Sequence, residues 1–177
     1  MTILNAVNFF YDNCDDETIN TNKWTVVGTG ITENAQSIKG SKSGTADNSI
    51  TSNDLLQFGT KFQLTFAGVA SCGVSSSTGA VSLKLNSTNL FTGTAPGTAG
   101  GRIASVGGTV VITFTAPNTI NVKVQDSLIF SGGAAGTAIA NDTDIVGTEV
   151  VIKCACTNSG ASGGVDEFVL SKIEILR

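Results

Sequence analysis

The sequence predicts an all-β fold in which two antiparallel sheets pack face to face as a sandwich. About ten to twelve short runs with alternating apolar residues are separated by turns rich in Gly, Ser, Thr and Asn, a spacing typical of a sandwich. No stretch of about 11 residues repeats apolar positions at the helical period. With 21 Gly and only 14% charged residues, the composition indicates uncharged turns between strands rather than a disordered chain.

A long strand is predicted at the C-terminus, over residues 165–177, and the rest of the chain is organised around it. Alternation places Phe168 and Leu170 on one face of this strand. A terminal strand this apolar has to be paired and covered, because an open edge would recruit other chains. We expect it to pair with residues 8–12, so that the first and last strands are adjacent and close the domain.

The same strand changes parity near its end. Ile173 and Ile175 fall on the opposite face from the apolar residues that precede them. A β-bulge at residues 171–172 is expected to return them to the core side, because a bulge inserts one extra residue and shifts the alternation.

Clean alternation predicts two strands and the direction of their side chains. Phe62, Leu64 and Phe66 are predicted to face the core, with polar residues between them. Residues 81–85 follow the same pattern of apolar and polar positions.

A hairpin is predicted in the second half of the chain. Residues 110–114 and 120–124 are apolar at alternate positions, and residues 116–119 contain Pro and Asn where turns favour them. The stretches rich in Gly, Ala and Thr at residues 92–101 and 131–140 are predicted to be long loops.

Length and charge restrict the class of protein. The chain has 177 residues, which fits one domain over residues 1–177. Its net charge of -4, with scattered basic residues, argues against nucleic-acid binding. No apolar run approaches the roughly 18 residues that a membrane span needs. The residues after Met1 lack the basic and apolar regions of a signal peptide, so folding in a cytoplasm is expected.

In that compartment the cysteines are expected to be thiols rather than disulfides. They are Cys14, Cys72, Cys154 and Cys156. Cys154 and Cys156 share strand parity with Val150 and Ile152. They are therefore predicted to be buried like small apolar residues and not to form a metal or redox pair.

Three pieces of the chain resemble the concanavalin A-like (laminin G-like, glucanase-like) jelly-roll sandwiches. Residues 118–126 are similar to the strand and turn that usually read v-x-V-y-v-D-G, although the Gly after Asp126 is missing. Residues 165–170 are similar to the closing segment, hydrophobic-D-D/E-hydrophobic-x-hydrophobic. The opening resembles the family's F-x-D-x-F-(polar)-D-x-x-x-W start, with Cys14 in place of the usual aromatic, through Phe10, Asp12, Asp16, Trp24 and Val26.

The resemblance implies a two-sheet antiparallel jelly-roll sandwich and a structural calcium ion. In many such modules a Ca²⁺ ties the first strand to the last, and here it maps onto Asp12, with Asp15 or Asp16, and Asp166. Carboxylate and carbonyl oxygens are the ligands that Ca²⁺ takes. The alternative is that residues 12–17 form a solvated acidic turn.

No catalytic set is found, and the chain is not expected to be an enzyme. It contains no His, which excludes a Ser-His-Asp triad, a Cys-His pair and any His-ligated metal. The related glucanases carry Glu-x-Asp-x-Glu on one strand face, and this sequence has no such triplet. Asp142 and Asp144 are predicted to lie in a loop without an aromatic neighbour, so they do not indicate glycoside hydrolysis.

Two classes of function remain. The first is a structural component of a bacteriophage particle, either a capsid decoration (cement) protein or a tail-associated module, located in the virion after folding in the host cytoplasm. The missing catalytic set, the two long loops and a composition similar to that of virion proteins favour it. Its partners would be major capsid or tail proteins, with no nucleic acid and no membrane.

The second class is a carbohydrate-binding, lectin-like module. Phe91, beside the predicted loop at residues 92–101, is the best candidate for an exposed aromatic that stacks on a sugar or anchors a protein interface. A homo-oligomer docked on a larger shell is expected for the first class, with a trimer favoured, because a small sandwich gains binding strength through multivalent contact. A strict monomer that binds a defined glycan would favour the lectin-like class instead. No cofactor is expected apart from the structural Ca²⁺.

Overall fold

The computed structural model describes residues 18–34, 37–42, 47–57, 59–72, 78–96, 102–132, 135–158 and 166–176, and most of these residues form strands. In chain order the strands are β1 (Trp24–Val27), β2 (Ile31–Asn34), β3 (Ser37–Lys42), β4 (Asn48–Ser52), β5 (Lys61–Cys72), β6 (Thr78–Leu85), β7 (Thr88–Pro96), β8 (Arg102–Thr115), β9 (Thr119–Gly132), β10 (Ala135–Ala138), β11 (Thr143–Val146), β12 (Ile152–Asn158) and β13 (Asp166–Ile175). Within the same ranges the only helix is one turn of 3-10 helix, Leu55–Gln57.

The strands form two antiparallel sheets. A six-stranded sheet has the order β1-β4-β12-β6-β7-β10, and a seven-stranded sheet has the order β11-β9-β8-β5-β13-β3-β2. Every registered pair of strands is antiparallel. The predicted fold class, a two-sheet antiparallel jelly-roll sandwich, is confirmed.

Alternate residues of both sheets fill the space between them. Phe62, Leu64 and Phe66 of β5 are buried, and Lys61 before them is exposed, as the alternation predicts. Residues 81–85 in β6 follow the same rule, with the apolar side chains inside. The directions of these side chains could be predicted from sequence because one face of each strand packs on the core and the other faces solvent.

A stacked pair of aromatic rings joins the two sheets near the middle of the core. Phe66 of β5 and Phe91 of β7 have ring centroids 6.1 Å apart and planes 11° from parallel. Both side chains are buried. Aromatic pairs of this kind add to the stabilisation that burial alone provides.

The C-terminal strand is paired on both sides, as a strand this apolar requires. β13 lies between β3 and β5, and Phe168 and Leu170 are buried. Gly40 is the register partner of Phe168, and a Cβ there would lie 2.1 Å from Phe168 Cε1. Gly40 therefore makes room for the ring. Residues 8–12, the partner predicted for this strand, lie outside the described residues.

The bulge predicted in the C-terminal strand is confirmed. The register between β13 and β5 shifts between Ser171 and Glu174. After the shift Ile175 pairs with Phe62 and packs against the core. The extra residue returns the odd-numbered apolar position to the inner face.

The predicted hairpin is confirmed, whereas the two predicted long loops are partly wrong. β8 and β9 pair from Thr115↔Thr119 onward, across a turn in which Asn118 has φ 62°. Residues 92–96 belong to β7, and residues 135–138 form β10, its partner. The small residues that predict a loop there are strand residues, because Gly93 and Ala95 alternate inward and let the sheets approach closely.

No helix within the described ranges has the length and apolar character needed to cross a membrane.

Replacing Phe168 with Ala should lower the free energy of unfolding by about 3–5 kcal/mol, because the change opens a cavity at the centre of β13. Val169→Ala, one residue along on the outer face, is the matched control and should cost about 1 kcal/mol or less. Urea denaturation followed by tryptophan fluorescence measures both values. Equal effects of the two substitutions would contradict the assigned faces of β13.

Candidate functional site

Two grooves lie on the outer face of the seven-stranded sheet, which is the face turned away from the core. The first, the polar groove, has a volume of about 670 Å³ and crosses β8, β9 and β11. Its polar and charged lining includes Lys61, Thr113, Asn121, Lys123, Asn141, Asp142 and Asp144.

The strand register explains why these side chains face outward. Asn121 pairs with Thr113 on β8 and with Asp144 on β11. The residues on either side of it, Ile120 and Val122, are fully buried. Alternation therefore turns Asn121 and its two register partners toward the outer face.

One amide holds two carboxylates in this groove. Asn121 Nδ2 donates to Asp142 Oδ1 at 2.9 Å and to Asp144 Oδ1 at 2.8 Å. Lys123 Nζ lies 3.9 Å from Asp142 Oδ1, and Lys61 is the second cation of the lining. The described residues of the groove thus present two carboxylates and two ammonium groups, whose charges balance.

The loop that leads into β11 is fixed by local hydrogen bonds. Asp142 has φ 60°, a left-handed conformation that Asp adopts more readily than most residues. Thr143 Oγ1 donates to the Ala140 carbonyl at 2.6 Å, and the Val124 N–H donates to Asn141 Oδ1 at 3.0 Å. These contacts set the position of the Asp142 and Asn141 side chains before any ligand binds.

A β-bulge in β9 ends the polar groove. Val124 pairs with Val110 and Asp126 pairs with Thr109, so Gln125 is an extra residue on β9. The Asp126 carboxylate accepts a hydrogen bond from the Thr109 N–H and so covers the break in the ladder. Beyond the bulge the parity of β9 is reversed.

The second groove is apolar and lies beyond the bulge on the same face. It has a volume of about 350 Å³ and is lined mainly by small and aliphatic residues of β13, β5, β8 and β9. Gly107 pairs with Ala67 on one side and with Leu128 on the other. The base of this groove, at Gly107 and Ala67, therefore carries almost no side chain. Val69 and Leu128 project from its sides.

The end of β9 exposes three consecutive apolar residues, which we call the apolar edge. Leu128, Ile129 and Phe130 are 69%, 45% and 59% exposed. Leu128 and Phe130 face outward with Gly107 and Ser105, whereas Ile129 pairs with the buried Val106. Consecutive exposed apolar residues are unusual on a soluble protein surface.

Of the calcium ligands implied by resemblance, only Asp166 lies within the described residues. Its side chain is fully buried, and its Oδ1 accepts the Ser71 N–H at 2.8 Å. A Cβ at Gly79 would lie 2.3 Å from the same oxygen, so Gly79 makes room for the carboxylate. Asp12 and Asp16 lie outside these ranges, within which no three His, Cys, Asp or Glu residues gather as a metal would need. The calcium site stays a prediction.

The prediction that Phe91 is exposed is wrong. Phe91 is 0% exposed and stacks on Phe66. The register between β6 and β7 explains the difference: Leu83 pairs with Phe91 and Lys84 with Asn89, so Leu90 is an extra residue. This bulge lets both Leu90 and Phe91 face inward, which simple alternation does not allow.

The predicted burial of Cys154 and Cys156 is confirmed. Cys72, Cys154 and Cys156 are buried thiols, and Cys14 lies outside the described residues. Burial, together with the neighbouring Cys156 thiol, raises the pKa of the Cys154 thiol far above its ordinary value. Cys154 therefore behaves as a core residue and not as a nucleophile.

Sequence reasoning missed Asn121 and Asn141 and placed Asp144 wrongly in a loop. Asp144 lies in β11, which begins at Thr143. The signal that could have found Asn121 is a polar side chain between two buried positions of one strand. No local pattern brings Asp142 and Asp144 to Asn121, because that contact depends on the pairing of β11 with β9.

The chain is distantly similar to several solved structures. No family model and no curated protein matches the sequence. Among solved structures, the Crh5 transglycosylase has 10% identity and a TM-score of 0.42, with 90% of this chain and 81% of that chain covered. A Bacillus licheniformis β-glucanase has 10% identity and a TM-score of 0.38, with 88% and 94% covered. The legume lectin-like domain from Entamoeba histolytica has 11% identity and a TM-score of 0.38, with 88% and 91% covered. At these identities and TM-scores, the similarity does not indicate the function of this chain.

The calcium prediction is tested by thermal unfolding with and without a chelator. A bound Ca²⁺ stabilises only the folded state, by about 2.7 kcal/mol at a concentration 100 times Kd. The melting temperature should therefore fall on chelation and recover with added Ca²⁺, and Asp12→Asn should abolish the difference. Identical melting curves in both conditions would rule out the site.

The Cys154 thiol should resist modification by a thiol reagent in the folded protein and react fully in guanidinium, with peptide mass mapping as the readout. Because its pKa in the folded state lies above the ordinary value of 9.0, the unfolded chain loses the proton first as pH rises. This group's contribution to stability is thus fully present below about pH 9 and is lost progressively as pH rises from there towards the raised pKa of the folded state. Rapid labelling of native Cys154 near neutral pH would contradict the assigned burial.

Proposed function

We propose that the protein is a non-enzymatic, lectin-like carbohydrate-binding module whose binding site is the polar groove. The observation that carries the proposal is the cluster in which Asn121 holds Asp142 and Asp144 at the wall of an open groove. Side chains that are fixed before binding lose little conformational freedom when a ligand arrives.

The chemistry of the lining suits the hydroxyl groups of a sugar. Each sugar hydroxyl can donate one hydrogen bond and accept another, and neighbouring hydroxyls require both kinds of partner side by side. Asp142 and Asp144 supply charged acceptors, while Lys61, Lys123 and the Asn141 amide supply donors. Bonds to ionised groups are roughly twice as strong as neutral ones.

The shape of the groove favours a short oligosaccharide over a single deeply enclosed ligand. Its volume of about 670 Å³ lies within the usual range for small-molecule sites. It runs along β8 and β9, from the hairpin turn to the bulge at Gln125. A chain of sugar rings can lie along such a surface.

Binding in this groove would rest on hydrogen bonds and not on stacking. The described lining residues include no Trp, Tyr or Phe. A site without an aromatic platform gains little apolar contact from the sugar ring, so we expect weak binding at each site. Useful avidity would then come from several sites acting together.

The positions of Asp142 and Asp144 support binding without hydrolysis. Glycosidases place one carboxylate on each side of the scissile bond, usually in a cleft that desolvates the acid. Here both carboxylates contact the same Asn121 nitrogen, and both residues are exposed. They approach a bound sugar from one side.

A glycan array followed by calorimetric titration of the strongest ligand tests the proposal. Asp144→Asn and Asn121→Ala should each raise Kd by about tenfold or more, because a lost charge-assisted hydrogen bond costs about 1.5–3 kcal/mol. Asn89→Ala is the matched control, since Asn89 is exposed on β7 of the other sheet. The ligand should be recovered intact after prolonged incubation.

Three results would overturn this function. They are an array without any bound glycan, a Kd unchanged by both groove substitutions, and an equal loss caused by Asn89→Ala. If the wild-type protein releases reducing ends from the glycan and Asp144→Asn abolishes that release, the site stands, but its function is hydrolysis and not binding.

A second candidate is an assembly component of a phage particle. The observation that favours it is the apolar edge beside the apolar groove, where Leu128 and Phe130 are more than half exposed. Such surfaces mark protein contacts. Co-purification with capsid or tail protein, lost on Phe130→Lys and unaffected by Asp144→Asn, would favour assembly over carbohydrate binding.

A further inference from the structure

The end of β9 is an open sheet edge in the described part of the chain. β11 pairs only with residues 119–122 of β9, and Asn141 then covers the Val124 amide. From Asp126 to Ser131, β9 pairs with β8 on one side, and no described strand pairs with it on the other. An unpaired strand edge is a template for another strand.

The side chains of this segment lack the features that usually block edge pairing. Residues 127–132 contain no charged residue and no Pro. Leu128 and Phe130 lie on the outer face, and Ile129 lies on the opposite face. A partner that docks onto one face of the sheet would cover either Leu128 and Phe130 or Ile129, but not both. Exposure of both sets indicates that the strand edge itself is the contact.

We propose that two copies of this chain pair antiparallel through β9 and join their seven-stranded sheets into one continuous sheet. With a two-fold axis at Ile129, Leu128 of one copy lies opposite Phe130 of the other. Asp126 lies opposite Gly132, so the nearest charged residues do not face each other. Cross-strand pairs of an aromatic and an aliphatic residue stabilise antiparallel sheets.

The apolar edge lies far from Thr18, the first residue that the structure describes. The described chain begins at Thr18, close to β1, which lies at one end of the six-stranded sheet. β10 lies at the other end of that sheet, and a Cβ at Gly136 in β10 would lie 2.8 Å from Ile129 Cγ2. The apolar edge is therefore on the far side of the sandwich from the described start of the chain.

This pairing is isologous, so it closes at two copies. It predicts a dimer where the sequence argument favoured a trimer. It requires no glycan, and its test is therefore independent of the proposed carbohydrate binding.

Light scattering on the full chain, from micromolar to hundred-micromolar concentration, tests the pairing. The wild-type mass should approach twice that of one chain. Leu128→Lys and Ile129→Lys, on opposite faces of one edge, should each raise the dimer dissociation constant by tenfold or more. Val146→Lys is the matched control, because Val146 is 87% exposed on a different edge strand, β11. It should leave the wild-type mass unchanged.

A crosslink tests the register. At the two-fold axis opposing Cα atoms of an antiparallel pair are about 4.5–5.5 Å apart, within reach of a disulfide. Ile129→Cys should therefore form an intermolecular disulfide under mild oxidation, and Val146→Cys should not.

The proposal fails if the wild-type protein is a monomer at every concentration or if Ile129→Lys remains dimeric. It also fails if Val146→Lys dissociates the dimer as strongly as Ile129→Lys. A monomer whose melting temperature falls sharply on Leu128→Lys would place another part of the same chain on this edge, because Leu128 is 69% exposed on the outer face, and would equally overturn it.

Discussion

The structure depends on the alternation of side chains across two sheets that share one dry interior. Each strand has to turn its apolar residues into that space at a period of two. Within the described strands, three β-bulges mark departures from this period: before Glu174 in β13, at Leu90 in β7 and at Gln125 in β9. Each adds one residue to its strand, so the residues beyond it exchange faces.

In strands without a bulge, the side chains that face the core could be predicted from sequence. Most of the other differences between prediction and structure lie at a bulge. Phe62 in β5 and Leu83 in β6 are buried as their alternation requires. The bulge in β13 was predictable because two apolar residues change parity within one strand. The bulge at Leu90 was not, and Phe91 therefore lies in the core instead of on the surface. The polar groove could not be predicted, because Asn121 meets its two carboxylates only through the pairing of β9 with β11.

β9 connects the two proposed activities of the protein. Before the bulge its outward residues, Asn121 and Lys123, contribute to the polar groove. After the bulge the parity is reversed, so Leu128 and Phe130 face outward although they share the even numbering of the buried Val122. A dimer formed through this edge would carry two polar grooves on one continuous sheet, which would offset weak binding at each site.

The most direct test of the carbohydrate site is amide hydrogen exchange, followed by mass spectrometry, with and without a bound oligosaccharide. The proposed site requires slower exchange in the peptides that cover the start of β9 and the loop and strand at residues 141–146. Exchange in β6 and β12 of the opposite sheet should not change. Protection confined to the six-stranded sheet would contradict the assignment of the outer face of the seven-stranded sheet as the functional surface.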